Sequence, residues 1–213
     1  MKDTAVQNVL NEYHQRMKSE DAIRKSVSRQ EWLRRRDEFL LDVGESVGMV
    51  MNLLIRESQA KRIVEVGTSY GYSTLWMAEA ARAVGGKVIT LDLSAEKQRH
   101  AQFMLQKAGL DRYAEFRCGD AVVLIKELTE PVDFVLIDLW KDVYIPCFDA
   151  IRSMLSPAAL VLADNMIYPP DNQEYAQAYR HHMRTQGMDT VLLPLGHGIE
   201  ISRPAIPGRN PGS

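Results

Sequence analysis

Two apolar runs in this sequence end in side-chain oxygens. V-D-F-V-L-I-D closes on Asp138, and A-A-L-V-L-A-D-N closes on Asp164 and Asn165. Runs of this kind read as neighbouring strands of a doubly wound sheet, roughly 5 Å apart. Three oxygens, two of them charged, then converge on one point. Oxygen donors without His or Cys suit Mg²⁺ or another hard divalent cation, which keeps some waters and accepts substrate oxygens. Either acid alone reads equally well as a cap for the helix that follows; the pair with Asn165 favours the cation. Lys141 follows Asp138 by three residues, a spacing that puts its amine near the same point. A desolvated lysine near a cation loses its proton more readily and can serve as a base. From the residues alone, a surface lysine paired with Asp142 is the plainer reading.

A second constellation lies upstream. Residues 65–73 read E-V-G-T-S-Y-G-Y-S, with Gly67 and Gly71 between a strand and a helix. Glycines let the backbone turn tightly and approach a ligand. The free N–H groups and positive dipole end of the helix suit a carboxylate or phosphate. The loop is neither G-x-G-x-x-G nor a phosphate-binding loop ending in GK[ST], which weakens the dinucleotide and nucleoside-triphosphate readings. Asp92 ends the next strand and is placed to accept ribose hydroxyls. Asp120, in G-D-A with Ala121, can receive an adenine amino group or cap the next helix. Together these ends describe a nucleoside site whose far end is a short group, and S-adenosylmethionine fits it.

The elements that must hold these residues are legible in the periodicity. Residues 1–60 carry no strand signal. Val6, Leu10, Tyr13 and Met17 make one helical stripe. A second helix is expected from Ser28, with Trp32, Leu33 and the run Arg34-Arg35-Arg36, read here as a solvated face. A third is expected over 49–56, after the turn Asp42-Val43-Gly44. From residue 62 strands (62–66, 87–92, 113–117, 132–138, 158–164) alternate with helices (72–84, 95–108, 121–128, 144–155, 173–186). Two strands, 190–194 and 198–202, close as a hairpin. Near-continuous apolar strands alternating with helices imply an α/β fold with a mostly parallel sheet covered on both faces. Residues 204–213 read as a disordered tail.

The composition sets outer limits. The chain has 213 residues, 46% hydrophobic and 25% charged, with net charge −2. That suits a single globular domain, 1–213, with residues 1–60 as a helical cover and 62–202 as the core. The acidic balance argues against nucleic acid and against an anionic membrane surface. Two cysteines, Cys118 and Cys147, cannot form a disulfide framework, and both are expected to be buried thiols. With no apolar signal core or membrane-length run, a cytoplasmic protein is expected.

At this point the motifs match a family. The chain from about Phe39 to Ser202 resembles the class I S-adenosylmethionine-dependent O-methyltransferases. It is most similar to the metal-dependent catechol O-methyltransferase branch and the caffeoyl-coenzyme A type. The resemblance rests on Asp42-Val43-Gly44, the E-V-G-T-S-Y-G-Y-S loop, I-D-L-W-K-D-V-Y at 137–144 and L-A-D-N-M-I at 162–167. It implies a doubly wound, mostly parallel seven-stranded sheet with an antiparallel C-terminal strand. It implies that Asp138, Asp164 and Asn165 bind Mg²⁺ and that Lys141 is the general base. It implies cofactor contacts from Val43, Glu65, Gly67, Tyr70, Ser73, Asp92, Asp120, Ala121, Asp138 and Trp140. The acceptor would meet Phe39, Lys141, Asn165 and the loop at Tyr168-Pro169-Pro170. The implied reaction methylates one hydroxyl of a vicinal-dihydroxy aromatic small molecule.

There are departures. Leu139 replaces a histidine near the cofactor, Asp92 replaces a glutamate, and Val191 stands where a substrate-touching glutamate is expected. They leave methyl transfer intact and open the identity of the acceptor. The rivals are a methyltransferase for hydroxylated uridine in transfer RNA, with Arg24 and Arg34–Arg36 on phosphates, a non-catalytic cofactor-binding protein, and an NAD-dependent oxidoreductase. The resemblance also allows a homodimer.

Overall fold

Strands form where apolar side chains can be buried on both faces of one sheet. In β1 (Arg62–Val66) Ile63 faces one layer of helices while Val64 and Val66 face the other. The same alternation runs through β4 (Val132–Ile137), with Phe134 and Leu136 on one side and Val135 and Ile137 on the other. The computed structural model describes residues 3–168 and 173–205. Its remaining strands are β2 (Lys87–Asp92), β3 (Ala114–Cys118), β5 (Leu155–Ala163), β6 (Met188–Leu193) and β7 (Ile199–Pro204).

The seven strands lie in the order β3-β2-β1-β4-β5-β7-β6. Pairings among β1 to β5 are parallel, and β7 runs antiparallel to both neighbours. Strand order therefore reverses between β1 and β4, where open sheets of this kind leave a crevice at their carboxyl ends.

The helices are α1 (Thr4–Ser26), α2 (Arg29–Arg35), α3 (Glu45–Glu57), α4 (Tyr72–Val84), α5 (Ala95–Lys107), α6 (Ala121–Lys126), α7 (Tyr144–Ile151) and α8 (Gln173–Thr185). Buried residues of α1, α3, α4 and α5 fill one face of the sheet, and those of α6, α7 and α8 fill the other. Val6, Leu10 and Tyr13 are buried as the stripe predicts, with Val9 beside them and Met17 half-buried. Val47, Met51 and Ile55 of α3 belong to the core. Within the first sixty residues, the part that reaches the crevice is the stretch around Trp32 to Asp42.

Several boundaries differ from expectation. α3 begins at Glu45 because Gly44, at φ +81°, turns the chain into it. α7 ends at Ile151, and a 3-10 turn, Arg152–Met154, delivers the chain early into β5. β7 runs through Pro204, and Ala205 N donates to Gly187 O (2.9 Å), so the chain is still held there; residues 206–213 lie outside the described residues. Cys147 is buried, but Cys118 is exposed at the end of β3, the outermost strand. No helix among the described residues is long and apolar enough to cross a membrane.

Candidate active site

The β4–β5 register pairs Ile137 with Ala163, so Asp138 and Asp164 follow side by side. Both strands continue one residue into the crevice: Asp138 N donates to Val66 O (2.9 Å) and Asp164 N to Ile137 O (3.2 Å). Asn165 then leaves the strand at φ +58°, a left-handed conformation that asparagine tolerates better than most residues. Its Nδ2 donates to Asp138 Oδ1 (2.9 Å) and to Asp164 Oδ2 (3.4 Å). Asp164 is fully buried, and its Oδ1 has no hydrogen-bond partner. Burial pushes the Asp138 carboxyl up to about 6 against the pull of Lys141, and burial together with Asp138 holds Asp164 well above the carboxylate range.

Lys141 turns inward, not to Asp142. Its Nζ donates to the Asp164 main-chain oxygen (2.5 Å) and lies 3.7 Å from the Tyr144 ring centroid. Tyr144 Oη donates to the same oxygen (3.1 Å). Burial lowers the Lys141 amine to about 8, outweighing the attraction of the two acids. Among the described residues no cluster of three or more His, Cys, Asp or Glu could hold a metal. The set here is two acids and an amide. A buried carboxylate oxygen with no partner, next to a second, half-buried acid that lines the cleft, is the donor chemistry a hard cation requires.

The glycine loop packs directly against this pair. Gly67 sits at φ +109°, and a Cβ on it would lie 2.1 Å from the Asp138 main-chain oxygen. Asp92 organises the loop: its Oδ2 accepts from Ser69 N and its Oδ1 from Ser94 N, both at 2.8 Å. Glu65 and Ser73, expected at the cofactor, are buried behind the loop and face each other. Ser73 and Thr74 each donate to Glu65 at 2.5 Å, and Thr90 donates at 2.6 Å. Behind Thr90 come Thr68 (2.6 Å) and then Gln98 Nε2, which donates to Thr68 Oγ1 (3.1 Å). The threonines and Gln98 were missed from sequence; the signal available was Thr90, a polar residue inside K-V-I-T-L-D.

Burial raises the Glu65 carboxyl from 4.5 to about 7 despite its three hydroxyl donors. The folded protein then holds this proton more tightly than the unfolded chain does. The stability the group contributes is full below pH 4.5 and is lost as pH rises towards about 7. Relative to Glu65→Gln, the native protein should lose about 3 kcal/mol of unfolding free energy across that interval. Urea titrations at pH 4.5 and pH 8 check this, and equal differences at both would contradict it.

A cleft of about 1240 Å³ opens over these elements. Gly67, Tyr70, Asp92, Asp120, Ala121, Asp138, Trp140, Lys141 and Asn165 line it. Asp120 does so while also capping α6, its Oδ1 accepting from Val123 N (3.0 Å). Tyr70 is fixed by Arg16, 3.8 Å from its ring centroid, and by Tyr13 Oη, which donates to its carbonyl (2.6 Å). Val43, Phe39 and Asp164 are buried and do not line it. Trp32 packs on Phe39 (centroids 4.5 Å apart), and it is Trp32 that reaches the cleft. Tyr168 is exposed and stacks on His197 (5.7 Å), which lines the cleft; Pro169 and Pro170 lie outside the described residues. Leu139 lies beside Gly67, and Val191 is exposed on β6.

Sequence reasoning missed Trp32, Leu41 and His197 as wall residues, because no motif marks them; Asp42, whose motif points only to the turn and to Val43, lines the cleft as well. It also took the whole arginine run for a solvated face. Arg34 pairs with Glu31 and Arg35 with Glu38 (3.1 Å), as that reading expects. Arg36 does not: its guanidinium lies 3.8 Å from the Trp140 ring centroid, inside the cleft.

Residues 19–204 match the O-methyltransferase family. The chain belongs to that family. It is 35% identical to a catechol O-methyltransferase of Niastella koreensis over 131 residues, 60% of this chain and 59% of that one. It thus spans less than two thirds of the length of that relative. It is 27% identical to caffeoyl-CoA O-methyltransferase 5 of Nicotiana tabacum over 186 residues, 77% of each chain. The crystal structure of the O-methyltransferase from Bacillus cereus in complex with SAH superposes with TM-score 0.73 at 23% identity, covering 95% of this chain and 91% of that one. This last likeness is one of fold. The family match reaches back to residue 19, into α1, earlier than the motifs near Phe39. The O-methyltransferase resemblance therefore includes α2 and the segment carrying Trp32 and Arg36.

Proposed function

We propose that this O-methyltransferase transfers the methyl group of S-adenosylmethionine to one hydroxyl of a small vicinal-dihydroxy aromatic compound, with Mg²⁺ or a similar cation. The observation that carries the reading is the junction of Asp138, Asn165 and Lys141 in the cleft wall with the buried Asp164 against them, one of whose carboxylate oxygens has no partner. Names of relatives support the acceptor class: catechol and caffeoyl-CoA enzymes are among them.

Each residue has a role in this reading. Asp138, Asp164 and Asn165 would hold the cation, which when bound lowers the pKa of an acceptor phenol from its free value near 10. Lys141 Nζ takes the hydroxyl proton. Gly67 and the start of α4 accommodate the methionine end of the cofactor, whose carboxylate suits a helix N-terminus. Asp92 and Asp120 face the nucleoside, and Trp140 packs against its base. Trp32 and Leu41 exclude water from the acceptor ring.

The test is a panel of catechols, flavonoids, hydroxycinnamoyl thioesters and transfer RNA with methyl-labelled cofactor. Label should appear on a ring hydroxyl with Mg²⁺ present and fall at least tenfold in chelator. Full turnover in chelator would end the cation role, and label on transfer RNA alone would end the small-molecule reading.

A further inference from the structure

We propose that Arg36 recognises a carboxylate on the methyl acceptor, so that the preferred acceptors are dihydroxy aromatic acids. The inference rests on the O-methylation reading and deepens it. Of the three consecutive arginines, two are spent on neighbouring glutamates. Arg36 is half-buried in the cleft wall and makes no ion pair among the described residues. Asp37 and Asp142 line the same cleft, yet it is paired with neither. Its guanidinium lies over Trp140, 3.8 Å from the ring centroid.

Stacking on an indole uses the face of a guanidinium and leaves its edge. The five N–H donors lie in the guanidinium plane as a fork that fits a carboxylate in two parallel hydrogen bonds. Trp140 adjoins Lys141, so this fork borders the end of the cleft where the reacting hydroxyl is expected. The apolar part of the neighbouring wall, Trp32, Leu33 and Leu41, suits a flat ring. Most other carboxylates facing the space are already engaged. Glu38 holds Arg35, Asp92 and Asp120 accept backbone N–H groups, and Asp42 accepts from Gly44 N (2.9 Å) while burial raises its carboxyl. An acceptor with two ring hydroxyls at one end and a carboxylate at the other satisfies both ends.

The probes are 3,4-dihydroxybenzoate and 3,4-dihydroxybenzamide, which share ring and hydroxyls and differ in charge. The native protein should use the acid with kcat/KM at least tenfold above the amide. Arg36→Gln should raise KM for the acid by about 10- to 100-fold, the range of a charge-assisted hydrogen-bonded pair. It should leave the constants for the amide, and the affinity for S-adenosylhomocysteine, within about threefold; Arg36→Lys should recover part of the loss. Calorimetric binding of acid and amide with S-adenosylhomocysteine present gives a readout independent of turnover. Equal use of acid and amide by the native protein overturns the proposal and leaves O-methylation standing. An Arg36-dependent binding preference without transfer to either compound supports the anion site and removes the vicinal-dihydroxy reading of the acceptor. A matching loss of S-adenosylhomocysteine affinity in Arg36→Gln assigns the guanidinium to the cofactor and overturns the proposal.

Discussion

Asp164→Asn and Lys141→Ala should each abolish most turnover while leaving the fold and cofactor binding in place. Removing a general base costs about 10²–10⁴-fold in kcat. A loss of that size, with S-adenosylhomocysteine affinity within threefold, is expected for Lys141→Ala. Asp164→Asn should lose as much and carry a second signature. Its carboxylate is fully buried with an oxygen that no donor satisfies. Exchanging it for a neutral amide of the same shape removes a desolvation cost, so in chelator the variant should melt at the native temperature or above it. A variant that is both less stable and less active would mean that Asp164 is a structural residue. Retained activity in chelator would remove the cation from the reaction.

Gly67→Ala should be the most damaging glycine-to-alanine change among the described residues. The new Cβ would lie 2.1 Å from the Asp138 main-chain oxygen. Neither atom belongs to a flexible side chain, and φ of +109° already disfavours any residue with a Cβ. We expect a loss of about 4 kcal/mol or more, comparable with the whole stability of many domains. Gly85→Ala is the control. Gly85 also has positive φ, +69°, but a Cβ there meets nothing within 4 Å. Only the conformational term remains, about 1–2 kcal/mol. Chemical denaturation of both variants separates steric exclusion from glycine's conformational freedom, and equal losses would show that the contact with Asp138 is relieved elsewhere.

Much of the sheet was readable because burial on both faces leaves a run such as V-D-F-V-L-I with no other stable home. The acids at its edge were readable for the complementary reason. Asp138 and Asp164 stand where the apolar run stops, and parallel pairing of β4 with β5 brings such ends together. Glu65 shows where this reasoning fails. It lies one residue from the end of β1, as a ligand-binding acid would, yet its oxygens are taken by hydroxyls from β2 and α4. No local pattern announces three donors brought in from other elements. The cover was opaque for a similar reason. Its path is set by side chains reaching its backbone, such as Arg16 Nη2 donating to Glu38 O (3.1 Å). Trp32 and Arg36 face the cleft because of those distant bonds, and not because of their own spacing. The arginine run was misread because pairing with neighbours, the usual fate of such residues, holds for only two of the three.

Leu40 is fastened through both of its main-chain polar groups: its N–H donates to Glu20 (2.8 Å) and its carbonyl accepts from Ser69 Oγ (2.9 Å). Neither bond involves the side chain of residue 32, 36 or 41. Natural drift or directed evolution can therefore rewrite positions 32, 36 and 41 while the chain keeps its course past the glycine loop. One cofactor pocket could serve a lineage of enzymes with different acceptors, diversified through a handful of codons on a fixed rail.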